Sequence, residues 1–221
     1  MALFTSVTLG FLKALKKNNN REWFKSHKDK FDSAYGEFEV FINALIHEIA
    51  KFDKSVSDVL AKDCMFRIYK DIRFAKDKTP YKTHFGAWIV RGGKSTPNRA
   101  GYYVHIEPGD CFVAGGLHMP PTEPLNLIRS EIEYRTEDFK KILSNKTFIR
   151  YFKTITGDKL KTAPKGFPKD HPDMELLKFK SYILAHSFNE KKVLSGTFLK
   201  EAAFVFKAMA PFNEFLNQAL S

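Results

Sequence analysis

The spacing of hydrophobic residues changes twice along the chain and divides it into three stretches. Residues 1–55 and, mainly, 121–221 repeat hydrophobic positions about every three to four residues, the period of an amphipathic helix. Residues 62–118 instead alternate with a period of about two and are rich in β-branched and aromatic residues. The pattern predicts an α+β fold, in which an antiparallel sheet of about four strands in the middle of the chain is flanked by N-terminal and C-terminal helices.

Segments of the central stretch fit strands, and the sequences between them are typical of turns. The predicted strands are residues 64–74, 82–90, 101–106 and 111–117. They are separated by AKDKTPY, RGGKSTPNRA and EPGD, which are short enough to join antiparallel neighbours in a meander. No linker or repeat interrupts the pattern, so residues 1–221 are expected to form a single domain.

The two sides of these predicted strands differ in character, because successive side chains on a strand point to opposite faces. In the first predicted strand the residues expected on the core face are Phe66, Ile68, Ile72 and Phe74. The residues expected on the opposite face of the sheet are Arg67, Tyr69, Asp71, Arg73, Lys82, His84, Trp88, Tyr103 and His105. One face of the sheet is therefore predicted to gather cationic and aromatic side chains.

The net charge gives this face a candidate role. The chain carries 36 lysines and arginines against 25 acidic residues, a formal net charge of +11, which favours anionic partners. Cationic and aromatic groups together suit an anionic small molecule, in particular a phosphorylated one. The predicted ligand-binding residues are Arg67, Tyr69, Arg73, Lys78, Lys82, Trp88 and Tyr103, with Asp71 holding an arginine in place. Arg73 is expected to be essential for binding.

Two other classes of function use the same residues. An open sheet with aromatic side chains and lysines also suits nucleic acid, although the chain lacks a nucleic-acid-binding motif and a clustered basic arm. Alternatively, helices cover the aromatic face, and the protein has a structural or partner-binding role without a ligand. The position of the helices separates the three: a closed pocket favours a small ligand, an open basic sheet favours nucleic acid, and a covered face favours neither.

The sequence selects no reaction and leaves open whether the protein is an enzyme. His84, His105 and Asp71 are the candidate catalytic residues, because histidine and carboxylate groups can transfer protons near neutral pH. The patterns G-x-G-x-x-G, H-E-x-x-H and G-x-S-x-G are absent. No cofactor is expected, and no metal either, because the histidines have no regular ligand spacing.

The remaining composition bears on the compartment. Cys64 and Cys111 lie far apart in apolar runs, which is typical of reduced core thiols rather than a disulfide framework. No stretch approaches the roughly 20 apolar residues of a membrane span. The protein is expected to be cytoplasmic and to bind no membrane, and its oligomeric state is not predicted.

Four runs of the sequence together resemble a known family. They are NNNREWFKSHKDKF, FRIYKDIRFAKDKTPYKTHFGAW, GYYVHIEPGDCFVAGGLHMP and PKGFPKDHP, which follow one another across nearly the whole chain. In this order they are similar to the microbial domain-of-unknown-function family 2461. The resemblance implies an intracellular single-domain protein, and it supplies no activity, cofactor or site residue.

The dispersed lysines make a prediction about nucleic acid. Any affinity should be weak and should fall by a factor of about ten or more between about 50 and 200 mM salt, because lysines that contact only phosphates act through counterion release. Filter binding at the two salt concentrations measures this. Tight, sequence-selective binding that persists at the higher salt concentration would contradict it.

Overall fold

The computed structural model describes residues 3–221, and it combines ten α-helices with four β-strands. The helices are α1 (Ser6–Lys17), α2 (Arg21–Ser26), α3 (Lys28–Ile49), α4 (Ala61–Cys64), α5 (Thr122–Tyr134), α6 (Thr136–Ser144), α7 (Lys146–Phe152), α8 (Met174–Leu177), α9 (Glu190–Val193) and α10 (Phe198–Gln218). The strands are β1 (Phe85–Ile89), β2 (Gly101–Ile106), β3 (Cys111–Leu117) and β4 (Tyr182–Phe188). The predicted α+β class, with an antiparallel sheet between N-terminal and C-terminal helices, is confirmed.

The sheet has the order β1-β2-β3-β4, and every neighbouring pair is antiparallel. Predicted strands 82–90, 101–106 and 111–117 contain β1, β2 and β3. The prediction of a strand at residues 64–74 is wrong. This segment pairs with the chain before and within β1 in the isolated bridges Met65–Ala87 and Tyr69–Tyr81, which do not extend into a continuous ladder.

Local polar contacts explain why residues 70–80 form a loop instead of continuing the ladder. Lys70 donates hydrogen bonds to Asp77 and to Thr79, each at 2.7 Å, and so closes the loop on itself. Phe74, which alternation assigned to the core, is 95% exposed. Lys70 is therefore paired with Asp77, and Arg73 with Asp71, within the loop, and the alternation of the segment does not correspond to two faces of a strand.

The fourth strand comes from the stretch predicted to be mainly helical. β4 pairs along its whole length with β3, from Cys111–Phe188 to Leu117–Tyr182. Its sequence YILAHSF alternates, but the surrounding helical pattern hides so short a signal. The open edge of β3 decides the conformation of β4, because unpaired strand-edge groups require hydrogen-bonding partners.

Helices α3 and α10 pack on one face of the sheet and build the core. The buried side chains of this face include Phe85, Tyr102, Val104, Val113 and Leu184. Helix α10 approaches closely at Gly115, where a β-carbon would lie 2.7 Å from the sulfur of Met209. Asn213 of the same helix donates a hydrogen bond of 2.8 Å to the carbonyl of Gly101, so α10 is held against β2 and β3.

Both cysteines are free and buried, as predicted for core thiols. Burial raises the pKa of Cys64 and of Cys111 to about 11, so both are thiols at neutral pH. Among the helices of residues 3–221, none is both long enough and apolar enough to cross a membrane.

Gly116 provides a test of the β3–β4 pairing. Its φ is +107°, and an added β-carbon would lie 2.0 Å from the carbonyl oxygen of Tyr182. We expect Gly116→Ala to lower the free energy of unfolding, measured by urea denaturation, by about 2–4 kcal/mol.

Gly36→Ala is the matched control, because Gly36 lies in α3 and a β-carbon there meets nothing within 4 Å. This substitution should stabilise the protein by about 0.5–1 kcal/mol. A Gly116→Ala protein as stable as the parent would contradict the β3–β4 geometry.

Candidate functional site

The face of the sheet that points away from α3 and α10 carries a cluster of aromatic rings. We call it the uncovered face and define it by Trp88, Tyr103, His105 and Phe112. Tyr103 lies 5.8 Å from Phe112 between ring centroids, and Phe66 of the preceding segment lies 6.4 Å from Tyr103. In residues 3–221 none of these rings pairs with an aromatic ring of a helix. Trp88, Tyr103 and Phe112 are partly buried and His105 is 8% exposed, so the face is partly open to solvent.

Two glycines let the large rings lie against the neighbouring strands. A β-carbon on Gly86 would lie 2.8 Å from the hydroxyl oxygen of Tyr103, and one on Gly101 would lie 3.2 Å from Trp88 Cζ2. In these positions β1 and β2 present backbone rather than side chains. The rings therefore lie low over the sheet and form an aromatic floor, in which the plane of Tyr103 is tilted by 50° to Phe112 and by 59° to Phe66.

At the edge of this floor three ionisable side chains converge. The rings of His84 and His105 lie 4.2 Å apart, and His105 Nε2 lies 3.3 Å from Glu107 Oε2. A ligand atom from each of the three residues lies within 4.8 Å of the others. We call His84, His105 and Glu107 the histidine–glutamate cluster. These are the residues that could hold a metal ion.

The β1–β2 register creates this cluster. Phe85 is paired with Ile106 and Gly86 with His105, so His84 and Glu107 occupy the next opposed positions. The sequence EPGD then turns the chain into β3: the amide of Asp110 donates to the carbonyl of Glu107 at 3.0 Å, and Gly109 has a φ of +87°. Proline followed by glycine with positive φ is typical of a type II turn.

Neighbouring side chains hold His105 and Glu107 in place. Tyr103 Oη lies 3.0 Å from His105 Nδ1, and the ring of Phe112 stacks on His105 at 4.6 Å. Thr83 donates a hydrogen bond of 2.7 Å to Glu107 Oε1, which leaves Oε2 directed at His105. His84, in contrast, has no hydrogen bond from its ring within residues 3–221. The cluster therefore contains two fixed groups and one unpartnered imidazole.

The protonation states follow from burial and neighbouring charge. Burial lowers the pKa of His84 to about 4, together with the charges of His105, Lys82 and Lys70. The charge of Glu107 acts in the opposite direction and offsets this shift only in part. Burial alone would raise the pKa of Glu107, but hydrogen bonds from Thr83 and His105 and the charge of Lys16 leave it below its usual value. At neutral pH, His84 is thus an uncharged imidazole beside a carboxylate.

Two cations border the same floor without a carboxylate partner. Lys82 Nζ lies 5.3 Å from the centroid of the Phe66 ring. Burial lowers the pKa of Lys82, and the nearby charge of Arg67 lowers it further. Neither cation pairs with an acidic group in the described part of the chain, whereas Lys70 pairs with Asp77 and Arg73 with Asp71.

The structure does not bring the other predicted ligand-binding residues to this floor. Arg73 and Asp71 form a 2.7 Å ion pair with each other in the exposed loop, where their side chains are 76% and 49% exposed. Lys78 donates to the carbonyl of Ile72 within the same loop. Tyr69 packs against Phe24 and Tyr81 on the helical side. Alternation misplaced Tyr69, Asp71 and Arg73 because residues 64–74 do not form a strand.

Glu107 is the site residue that the sequence analysis missed. It follows His105 by two positions, and the alternation that placed Tyr103 and His105 on one face also places Glu107 there. The end of the predicted strand at residue 106 excluded it. Phe66 was also misassigned, because it was expected in the core and lies instead against Tyr103.

The grooves of the molecule lie elsewhere. One of about 460 Å³ is bordered by α6, α7 and α10, with Phe148 and Phe204 among its lining residues. Another, of about 640 Å³, lies between Arg21 and the loop that carries Lys78. Neither contains a residue of the uncovered face. The histidines, the carboxylate and Lys82 lie together at the sheet, away from both grooves.

Comparison with known proteins gives one match. The sequence model of a family described as "Conserved hypothetical protein (DUF2461)" matches residues 7–215, which confirms the resemblance found in the sequence. Neither the curated proteins nor the solved structures include a significant match.

The depressed pKa of His84 makes a prediction about pH. The pKa is about 4 in the folded protein and near 6.5 in the unfolded chain, so the unfolded chain binds more protons between these values. Proton binding by His84 therefore leaves the free energy of unfolding unchanged above about pH 6.5 and lowers it as the pH falls toward 4.

The measurement compares parent and His84→Gln by urea denaturation at pH 7 and pH 4 in chelator-treated buffer. The parent should lose about 1–2 kcal/mol more than the variant, less than the full shift implies because the ring is partly solvated. His47→Gln, at an exposed position of α3, controls for the substitution itself. Equal losses of unfolding free energy in the parent and in His84→Gln would show that folding does not lower the pKa of His84.

Proposed function

We propose, for a chain that belongs to the family of conserved hypothetical proteins DUF2461, that the uncovered face binds an anionic, phosphorylated small molecule. The phosphate group would lie against Arg67 and Lys82, and the apolar part of the ligand would lie on Tyr103 and Trp88. The observation that carries this proposal is that Arg67 and Lys82 lie close to each other and, within residues 3–221, form no ion pair with an acidic side chain, beside partly exposed aromatic rings. The proposal concerns binding and assigns no reaction.

The two cations favour an anion because each disfavours the charge of the other. Burial lowers the pKa of Lys82, and the charge of Arg67 lowers it further. Other cations of the same segment are neutralised by acidic residues, as Lys70 is by Asp77 at 2.7 Å. A bound phosphate would relieve the repulsion between Arg67 and Lys82 and would form charge-assisted hydrogen bonds with both.

The aromatic floor supplies the apolar contacts of such a ligand. Phe66, Trp88, Tyr103 and Phe112 lie around the glycines of β1 and β2. A planar or apolar group placed there would cover ring surface that now contacts water, which is favourable by the hydrophobic effect. Together, the cations and the floor select a molecule with a phosphate at one end and an apolar body.

The openness of the face favours single-stranded nucleic acid as a second candidate, because bases stack on exposed aromatic rings. The charge distribution argues for the smaller ligand. The outward positions of β1 to β4 carry no lysine or arginine, and Ala114, Ile183 and Ala185 occupy the side next to β4. A strand of several nucleotides would require cations along its backbone, whereas a single phosphate requires them only at one end.

Lys82→Met tests the proposal, because methionine keeps much of the apolar stem over Phe66 and removes the charge. The probes are inorganic pyrophosphate, a sugar phosphate and a nucleoside monophosphate, and the measured quantity is the rise in melting temperature that each produces. At least one probe should stabilise the parent, and Lys82→Met should lose most of this stabilisation while the ligand-free protein melts nearly as before.

Lys76→Met and Arg73→Ala are the matched controls, since both remove a cation from the exposed loop. Each should retain the stabilisation. If Lys82→Met responds to the probes as strongly as the parent, the phosphate does not bind at Lys82. If none of the three probes but a single-stranded oligonucleotide stabilises the parent, the second candidate replaces the first.

A further inference from the structure

We propose that His84, His105 and Glu107 form a binding site for a divalent transition-metal ion of the zinc type. The site lies at the edge of the uncovered face, and it departs from the sequence-based expectation of no metal. The observations behind it are separate from those behind the phosphorylated ligand proposed above, because none of its three metal ligands is assigned to that ligand.

The donor types and distances fit such an ion. Two imidazoles and one carboxylate form a known ligand set for Zn²⁺ and related ions, with metal–ligand bonds of about 2.0–2.2 Å. In a tetrahedral site such bonds place donor atoms roughly 3.3–3.6 Å apart. His105 Nε2 and Glu107 Oε2 are already 3.3 Å apart, and the His84 donor completes a set within 4.8 Å. A small rotation of the His84 ring would close the site.

The surrounding hydrogen bonds orient the donors as metal sites require. If His105 binds the ion through Nε2, its Nδ1 carries the proton and donates to Tyr103 Oη, which lies 3.0 Å away. The pKa of Tyr103 is raised to about 12 by burial and by the charge of Glu107, so its hydroxyl is intact at neutral pH. Thr83 holds Glu107 Oε1 at 2.7 Å and directs Oε2 toward the site.

Within residues 3–221, His84 forms no interaction through its ring that would assign it a role other than metal binding. Its ring has no hydrogen-bonding partner in residues 3–221, although it is partly buried beside the His105 ring at 4.2 Å. An imidazole in this position is uncharged and has a free electron pair for coordination. With three protein ligands, a fourth position remains for water or a ligand, as in catalytic rather than structural zinc sites.

Nearby positive charge opposes the ion and limits its affinity. Lys16 Nζ lies 3.4 Å from Glu107 Oε1, but its side chain is 58% exposed and can move away. Lys82 and Lys70 also lie close enough to lower the pKa of His84. Since only Glu107 supplies negative charge, we expect an affinity below that of sites with several thiolate or carboxylate ligands.

The experiment uses the full chain after removal of metal with a chelator, and titrates it with Zn²⁺ in a calorimeter. The visible absorption of bound Co²⁺ reports the geometry in parallel. We expect the parent to bind one equivalent of Zn²⁺, and His84→Gln and Glu107→Gln each to weaken binding by about tenfold or more. Tyr103→Phe should weaken it less, because Tyr103 orients a ligand without touching the ion.

His118→Gln is the matched control, since His118 is exposed and lies outside the cluster. It should bind Zn²⁺ as the parent does. His84→Gln removes no hydrogen bond and should fold, which its melting temperature verifies before titration. The proposal is overturned if the parent binds no saturable equivalent of Zn²⁺, or if His84→Gln and Glu107→Gln bind it as tightly as the parent.

Discussion

The antiparallel register of β1 and β2 is the constraint on which the candidate site depends. Pairing of Gly86 with His105 and of Trp88 with Tyr103 places every candidate side chain of these strands on one face. It also places His84 opposite Glu107, just beyond the last paired residues. The same register sends Phe85, Ala87 and Val104 into the core. A slip by one residue would exchange the two faces, so burial of the core fixes the geometry of the site.

Helices α3 and α10 pack on one face of the sheet, and the candidate site lies on the opposite face. Helix α10 packs directly on β3 at Gly115 and binds the carbonyl of Gly101 through Asn213, so one face of the sheet is sealed. The opposite face keeps aromatic rings, two unpaired cations and the histidine–glutamate cluster in partial contact with water. Burial there perturbs the pKa values of Lys82 and His84 and still leaves both side chains partly exposed.

The cluster and the cations are electrostatically coupled. The charge of Lys82 lowers the pKa of His84, whereas that of Glu107 raises it, so a change in either group changes the protonation of the imidazole. A bound anion at Lys82 would remove part of the positive potential that opposes both a proton and a metal ion at His84. Binding at the two places is therefore expected to be mutually favourable, because each would reduce the charge repulsion felt by the other.

Local sequence determined the helices, the three strands joined by consecutive turns, and the face on which Trp88, Tyr103, His84 and His105 lie, because period and turn chemistry act over a few residues. Tertiary structure decided the rest. β4 forms because the backbone groups at the edge of β3 need hydrogen-bonding partners. Arg73 lies not in the sheet but in a loop, where it forms an ion pair with Asp71. Glu107 joins the histidines through the register of two strands, which depends on packing between residues distant in sequence and not on the local pattern of either strand.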